Sequence, residues 1–328
     1  MVELSPGDAG GLPPTVEGTV ITVGTFDGVH CGHQDVIRRL VKRAREVSLP
    51  SIFLTFEPHP LAVLRPESAP PLLALPAEKL EVLAPLGLDY VVILPFTPLL
   101  ASYPAEQFVD VVLRGRYRLR ELLVGYDHGF GREREGSAEV LQRLAVSRGF
   151  SVQVVRPVGT ADEAAVSSTK IRRAVSAGEL GAAARALGRP YSLSGRVVAG
   201  AGRGRALGYR TLNLEPPDAR KLLPPQGVYA VRVQTPDGMH DGMLNLGPRP
   251  TFGDPEVGIE VHLLDASGDW YGAWVKVDFV SRLRDTRRFA DADALRNQLD
   301  QDERDARRAL TLAPVAGNLC SSAGYDPS

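Results

Sequence analysis

Thr19-Val20-Ile21-Thr22-Val23-Gly24-Thr25-Phe26-Asp27-Gly28-Val29-His30-Cys31-Gly32-His33 passes from β-branched apolar residues through a glycine-rich turn. A helical pattern takes over from about Gln34 to Val47. The first five residues have the composition of a strand buried on both faces. A strand that turns through glycine straight into a helix opens a βα unit. The start of such a helix carries unpaired N–H groups and a partial positive charge, so it favours phosphate.

The pattern repeats downstream. Ser51–Thr55, Tyr90–Leu94, Glu121–Val124 and Ser151–Val155 read as further buried strands, with helical periodicity over Ala77–Ala84, Ala105–Leu113 and Ala138–Arg148. This alternation predicts an α/β domain with a Rossmann-like parallel sheet, whose ligands bind outside the carboxyl ends of the strands. A single helix is expected from about Thr169 to Ala186, and Gly188-Arg189-Pro190 then breaks the pattern. Beyond it lie short β runs: Ser194–Val198, Gly227–Gln234, Met239–Leu246, Ile259–Leu264 and Trp274–Val280. Pro236-Asp237-Gly238 supplies hairpin-turn chemistry between two of them. These runs predict a small antiparallel β-barrel. Ala292–Leu312 reads as one long amphipathic helix packed on it, and the Gly/Ser-rich tail after Ala313 reads as disordered. The expected domains are residues 18–187 and 188–312.

Bulk properties exclude several classes of function. The 328 residues carry 38 Lys+Arg and 39 Asp+Glu, a formal net charge of −1. That balance argues against a nucleic-acid partner. Arg114, Arg116, Arg118 and Arg120 alternate along the chain, and spacing by two does not make a helix face. No apolar run approaches a membrane span, and Met1–Glu17 lacks the basic start and apolar core of a signal peptide. The two cysteines, Cys31 and Cys320, form no CxxC pair and no disulfide framework. They are read as reduced, in a cytoplasmic protein. Nothing in the sequence sets an oligomeric state.

Chemistry concentrates in two places. His30 and His33 stand three apart at the helix start, Gly32 lets a phosphate approach the backbone, and His59 follows the second strand. Fixed donors at that point suit nucleotidyl transfer, where charge gathers on phosphate oxygens and no protein nucleophile is needed. Ser167-Ser168-Thr169-Lys170-Ile171-Arg172 offers hydroxyls and cations at another helix start, a pattern that ordinary N-capping also produces. In the second half, the run Gly200 to Gly208 is glycine-dense and basic but is neither a P-loop nor a dinucleotide fingerprint. Thr211 and Asn213 follow in an extended segment, suited to Mg²⁺ and phosphate oxygens. Glu260 is a carboxylate in an apolar run, and period-2 alternation alone would put it on an outer face.

TFDGVHCGHQ, TFEPHP (Thr55–Pro60), VGYDHGFGREREG (Val124–Gly136) and SSTKIR together resemble the adenylyltransferase half of the bifunctional riboflavin kinase/FAD synthetases, members of the HxGH nucleotidyltransferases. LGRPYSLSGRV, NLGPRPTF (Asn245–Phe252) and the Glu260 segment resemble the kinase half. The resemblance covers about residues 18–312 and implies conversion of riboflavin to FMN and then to FAD, with ATP and Mg²⁺. It implies that His30 and His33 hold ATP phosphates within a turn formed by Gly24, Phe26, Asp27, Gly28 and Gly32. Ser168, Thr169 and Arg172 would close over them, and Asp127, Phe130 and His59 would border the flavin. In the kinase half, Gly202, Gly204 and Thr211 would meet ATP, and Thr211 and Asn213 the metal, with Asn213 also beside the flavin. Glu260 would orient or deprotonate the riboflavin 5′-hydroxyl. Two positions depart from the family pattern: Arg210 stands where Pro is usual, and Thr286 where Glu is usual. Arg210 keeps a second reading open, an FMN adenylyltransferase whose barrel is only a flavin-binding or structural module. A tRNA-binding HxGH protein and a non-enzymatic flavin carrier are less consistent with the charge balance and with the phosphate-binding groups.

Overall fold

Five successive buried side chains make Thr19–Val23 the strand β2, the centre of a six-stranded sheet. The structure, a computed structural model, describes residues 1–4, 11–125, 136–155, 166–200, 209, 211–216, 218–248, 257–313 and 320. The chain divides into two compact units, Met1–Ser167 and Ser168–Ser328.

In the first unit β1 (Val2–Leu4), β2, β3 (Ser51–Glu57), β4 (Tyr90–Pro95), β5 (Leu119–Gly125) and β6 (Ser151–Val155) lie in the order β1-β4-β3-β2-β5-β6. Every pairing is parallel. Neighbouring residues of one strand point into different cores. Ile21, Ile52 and Leu122 join one cluster with Phe108 and Leu141, while Val20, Phe53 and Leu123 join another. The second cluster is closed by Ile37, Leu40, Val41 and Ala44 of helix α1 (Cys31–Glu46), whose spacing is that of one helix face. Helices α2 (Pro76–Leu83) and α3 (Ala138–Arg148) lie within a residue of their expected limits. Ala105–Leu113 instead divides into a short α turn and a π turn over Phe108–Arg114. Strand β1 is not foreshadowed in the sequence; three residues carry no periodicity, and only their pairing with Tyr90–Val92 makes them a strand.

The second unit opens with α4 (Ser168–Ser176) and α5 (Leu180–Leu187). These replace the single helix expected over Thr169–Ala186. Gly178 adopts φ +76 between them, a left-handed conformation that ends the first helix. Strands β7 (Tyr191–Val198), β8 (Thr211–Glu215), β9 (Gly227–Thr235), β10 (Gly238–Pro248), β11 (Val257–Leu263) and β12 (Trp274–Arg284) close a barrel in the order β10-β11-β8-β7-β12-β9. The Pro236-Asp237 hairpin joins β9 to β10 with Thr235 opposite Gly238. Helix α6 (Ala292–Leu312) is capped by Asp291, which accepts from the Ala294 N–H at 2.7 Å. It buries Ala306 and Leu310 against Ala230 and Met243 of the barrel wall. Arg284 grips the buried Asp302 of α6 through two nitrogens, at 2.8 and 2.5 Å. The architecture is therefore the one expected: a parallel-sheet domain and an antiparallel barrel with a terminal helix.

Candidate functional site

The turn between β2 and α1 is held in a costly shape. Phe26 and Val29 have φ of 45° and 40°, and Gly28 has φ 79°. A left-handed conformation is cheap for glycine but costs a residue such as valine about 1–3 kcal/mol. Specific contacts hold it there. The buried Asp27 carboxylate accepts from the N–H groups of Leu73 and Ala74 at 3.0–3.2 Å. Gln34 Nε2 donates to the Val29 carbonyl at 3.0 Å. The Phe26 ring packs 4.4 Å from Phe53 and above Gly24, where a Cβ would come within 3.0 Å of it. Backbone strain maintained by so many contacts clusters at functional sites.

This turn delivers the two histidines together. His30 caps α1, its Nδ1 accepting the His33 N–H at 3.4 Å. The rings stack with centroids 3.5 Å apart and planes inclined by 18°. Because Nδ1 of His30 is the acceptor, the ring's hydrogen sits on Nε2. A Cβ on Gly32 would lie 3.3 Å from the His30 ring, so a side chain there would press on the imidazole. Burial holds the His33 pKa well below the ordinary 6.5, and the charges of His30 and Lys79 push it further down. The buried Nδ1 of His33 has no hydrogen-bond partner among the described residues.

A pH dependence follows. In the unfolded chain His33 takes up a proton near its ordinary 6.5, whereas the folded chain resists until lower pH. Below 6.5 the unfolded state binds more protons, so this contribution to stability is complete above that pH and lost as pH falls toward the folded value. The Tm of the wild-type protein should therefore fall more steeply below pH 6.5 than that of H33Q. Parallel curves would show that His33 titrates normally.

Beside the histidines, at the carboxyl ends of β2 and β3, is a cleft lined by Thr25, Asp27, Thr55, Glu57, His59 and Lys79. His59 caps a short helix, Pro60–Leu64, by accepting the Leu61 N–H at 3.2 Å. Lys79 of α2 is a site residue that no motif in the sequence marks. It is buried, and its ammonium donates to the Thr25 carbonyl at 2.8 Å and the Thr55 hydroxyl at 3.2 Å. Its one sequence signal is position: it precedes the buried Leu83 by four residues, on the buried face of α2.

In the second unit, Ser168 and Thr169 open α4 and Arg172 follows one turn later. Thr211 and Asn213 lie two apart on one face of β8. In register, Thr211 faces His262, Asn213 faces Glu260, and Glu260 faces Asn245 on its other side. This makes a polar row across three strands on the outer face of the barrel, with Glu260 exposed. A Cβ on Gly200 would fall 1.8 Å from the Asn213 amide nitrogen, so any other residue there would have to displace the Asn213 amide. A hydroxyl, an amide oxygen and one carboxylate are hard donors that fit Mg²⁺ shared with substrate phosphates. They do not make an all-protein cage, and among the described residues no group of three or more His, Cys, Asp or Glu could hold a metal. Asp127, Phe130, Gly202, Gly204 and Arg210 lie outside the described residues, as does most of the tail after Ala313. Neither Cys31 nor Cys320 is a free thiol. This overturns the reading of both as reduced, because spacing along the chain reports local motifs alone.

A family profile for FAD synthetase matches residues 12–170, and one for riboflavin kinase matches residues 187–310. A bifunctional riboflavin kinase/FMN adenylyltransferase of Pseudomonas fluorescens is 40% identical over 306 residues, 93% of this chain and 96% of that one. The Escherichia coli K12 protein of the same description is 37% identical, over 92% of this chain and 95% of its own. A solved structure from Streptococcus pneumoniae, described as a macrolide-efflux protein, superposes with a TM-score of 0.82 at 32% identity over 93% of this chain and 98% of that one. Among the described residues no helix is long and apolar enough to cross a membrane. Similarity that runs through both units at this level identifies the chain as a member of the bifunctional riboflavin kinase/FMN adenylyltransferase family.

Proposed function

We propose that the protein phosphorylates riboflavin with ATP to give FMN and then joins FMN to AMP, giving FAD and pyrophosphate. The observation that carries this reading is the stacked histidine pair at the start of α1, set in a strained turn. In the adenylyl step a phosphate oxygen of FMN attacks the α-phosphorus of ATP and pyrophosphate departs. His30 and His33 donate to the phosphate oxygens as negative charge grows on them. The turn of Gly24, Phe26, Gly28 and Gly32 frames those phosphates, and Asp27 contributes by fixing the turn to residues 73 and 74. Ser168, Thr169 and Arg172 close over the triphosphate, while His59, Asp127 and Phe130 border the flavin.

In the kinase step the riboflavin 5′-hydroxyl attacks the γ-phosphorus of ATP and ADP departs. Glu260 orients that hydroxyl and accepts its proton, and Gly202, Gly204 and Thr211 hold the nucleotide. Mg²⁺ held by Thr211 and Asn213 would neutralise phosphate charge in this step. Residues 18–187 serve the adenylyl transfer and 188–312 the phosphorylation. The co-substrate ATP suits a cytoplasmic location.

Incubation of the protein with riboflavin, ATP and Mg²⁺, with flavins separated by chromatography over time, tests both steps. FMN should appear and then give way to FAD. Riboflavin left untouched while supplied FMN becomes FAD would leave the single-activity reading that Arg210 raises. If neither flavin is converted, both readings fail.

A further inference from the structure

The least expected feature of the first unit is a lysine buried where no motif asks for one. Lys79 is only 8% exposed, and its ammonium bridges two strands: the Thr25 carbonyl at the end of β2 and the Thr55 hydroxyl on β3. Thr55 in turn donates its hydroxyl hydrogen to the same Thr25 carbonyl at 3.0 Å, which closes a three-membered ring of contacts. Thr25 immediately precedes Phe26, the first left-handed residue of the histidine-bearing turn. Burying an ammonium is costly unless it is well paired, because the charge loses its hydration. A structural clamp could be made with a neutral side chain, so a charge kept here at that cost points to a use for the charge itself.

We propose that Lys79 is a positioning residue for adenylyl transfer, clamping the strained turn that presents His30 and His33 and keeping a fixed positive charge beside them. The inference rests on the adenylyl-transfer reading of the first unit. Burial lowers the Lys79 pKa from its ordinary 10.5, and the charged groups that bear on it, Asp27 from the turn and Glu57 from β3, oppose that shift and favour the ionised form. Its charge bears in turn on His33, which it helps to keep neutral together with burial and His30. A neutral His33 at working pH can accept or donate one hydrogen bond at each ring nitrogen, while a doubly protonated ring stacked on His30 would be repelled by a second cation.

The test uses full-length K79M and K79R. Methionine approximates the shape without the charge, and arginine restores charge and donors. K79M should lower kcat for FAD formation from FMN and ATP by about a hundredfold, the scale of a small misplacement of reacting groups. The acid limb of its pH profile should move to higher pH, because removing a nearby positive charge raises the His33 pKa. K79R should recover a large part of the rate and return the limb. Riboflavin phosphorylation should continue in both variants. Activity of K79M within a few-fold of wild type, or a loss of rate with an unshifted pH profile that K79R does not relieve, would overturn the proposal. Titration of the His33 imidazole by NMR needs no turnover. If the wild-type protein makes no FAD, the functional reading fails, and the His33 titration in K79M against wild type still decides whether Lys79 acts on that ring.

Discussion

Replacing His30 by alanine should lower the rate of FAD formation from FMN and ATP by about two to three orders of magnitude, the cost of losing a donor aimed at developing charge. His30 has two jobs that the substitution removes together. Its Nδ1 caps α1 through the His33 N–H, and its ring stacks on His33. Loss of an N-cap alone costs about 1 kcal/mol of stability. Asparagine caps well but has no imidazole, so H30N separates the two roles. It should recover much of the stability lost in H30A while remaining as slow. Steady-state rates with saturating FMN and ATP, alongside thermal unfolding, make the comparison. Rates for H30A within tenfold of wild type would remove His30 from the chemistry.

The mirror experiment belongs to the barrel. E260Q should slow riboflavin phosphorylation by about 10²–10⁴-fold, the usual worth of a positioned general base, and leave conversion of supplied FMN to FAD unchanged. The position of Glu260 makes this a clean test. It is exposed in the middle of the Asn213–Glu260–Asn245 row and carries no load in the barrel core, so the amide should alter stability by no more than about 0.5 kcal/mol. A variant that phosphorylates riboflavin within threefold of wild type would transfer the role to another group. Taken together, H30A and E260Q should each silence one step and spare the other.

How much of this was legible in the chain differs by kind of signal. A strand buried on both faces announces itself by an unbroken β-branched run, which is why β2 was bounded to the residue; β6 was bounded equally well although it is an edge strand with exposed Ser151 and Gln153. Helix α6 was equally plain, because its amphipathic pattern continues for 21 residues. Signals that depend on partners were not legible. Three residues become β1 only through β4, and Lys79 is notable only because α2 turns it toward Thr25 and Thr55. The break at Gly178 could have been read from the glycine, but helical periodicity on both sides masked it. The histidine spacing of the HxGH run could be seen in the sequence. The left-handed backbone of Phe26 and Val29 that sets the rings in place could not, since neither residue type favours that conformation.

The place of β12 in the barrel has a consequence for how the protein is made. Among the described residues it is the last strand, yet it lies between β7 and β9. Until residues 274–284 have left the ribosome, those two strands are the open margins of an unfinished sheet, each offering a row of unpaired backbone groups to any other strand. A chain cut short within β12 would thus not yield a slightly smaller barrel. It would yield an open ribbon with two adhesive rims, so nonsense mutations within β12 should appear as aggregation and not merely as lost kinase activity.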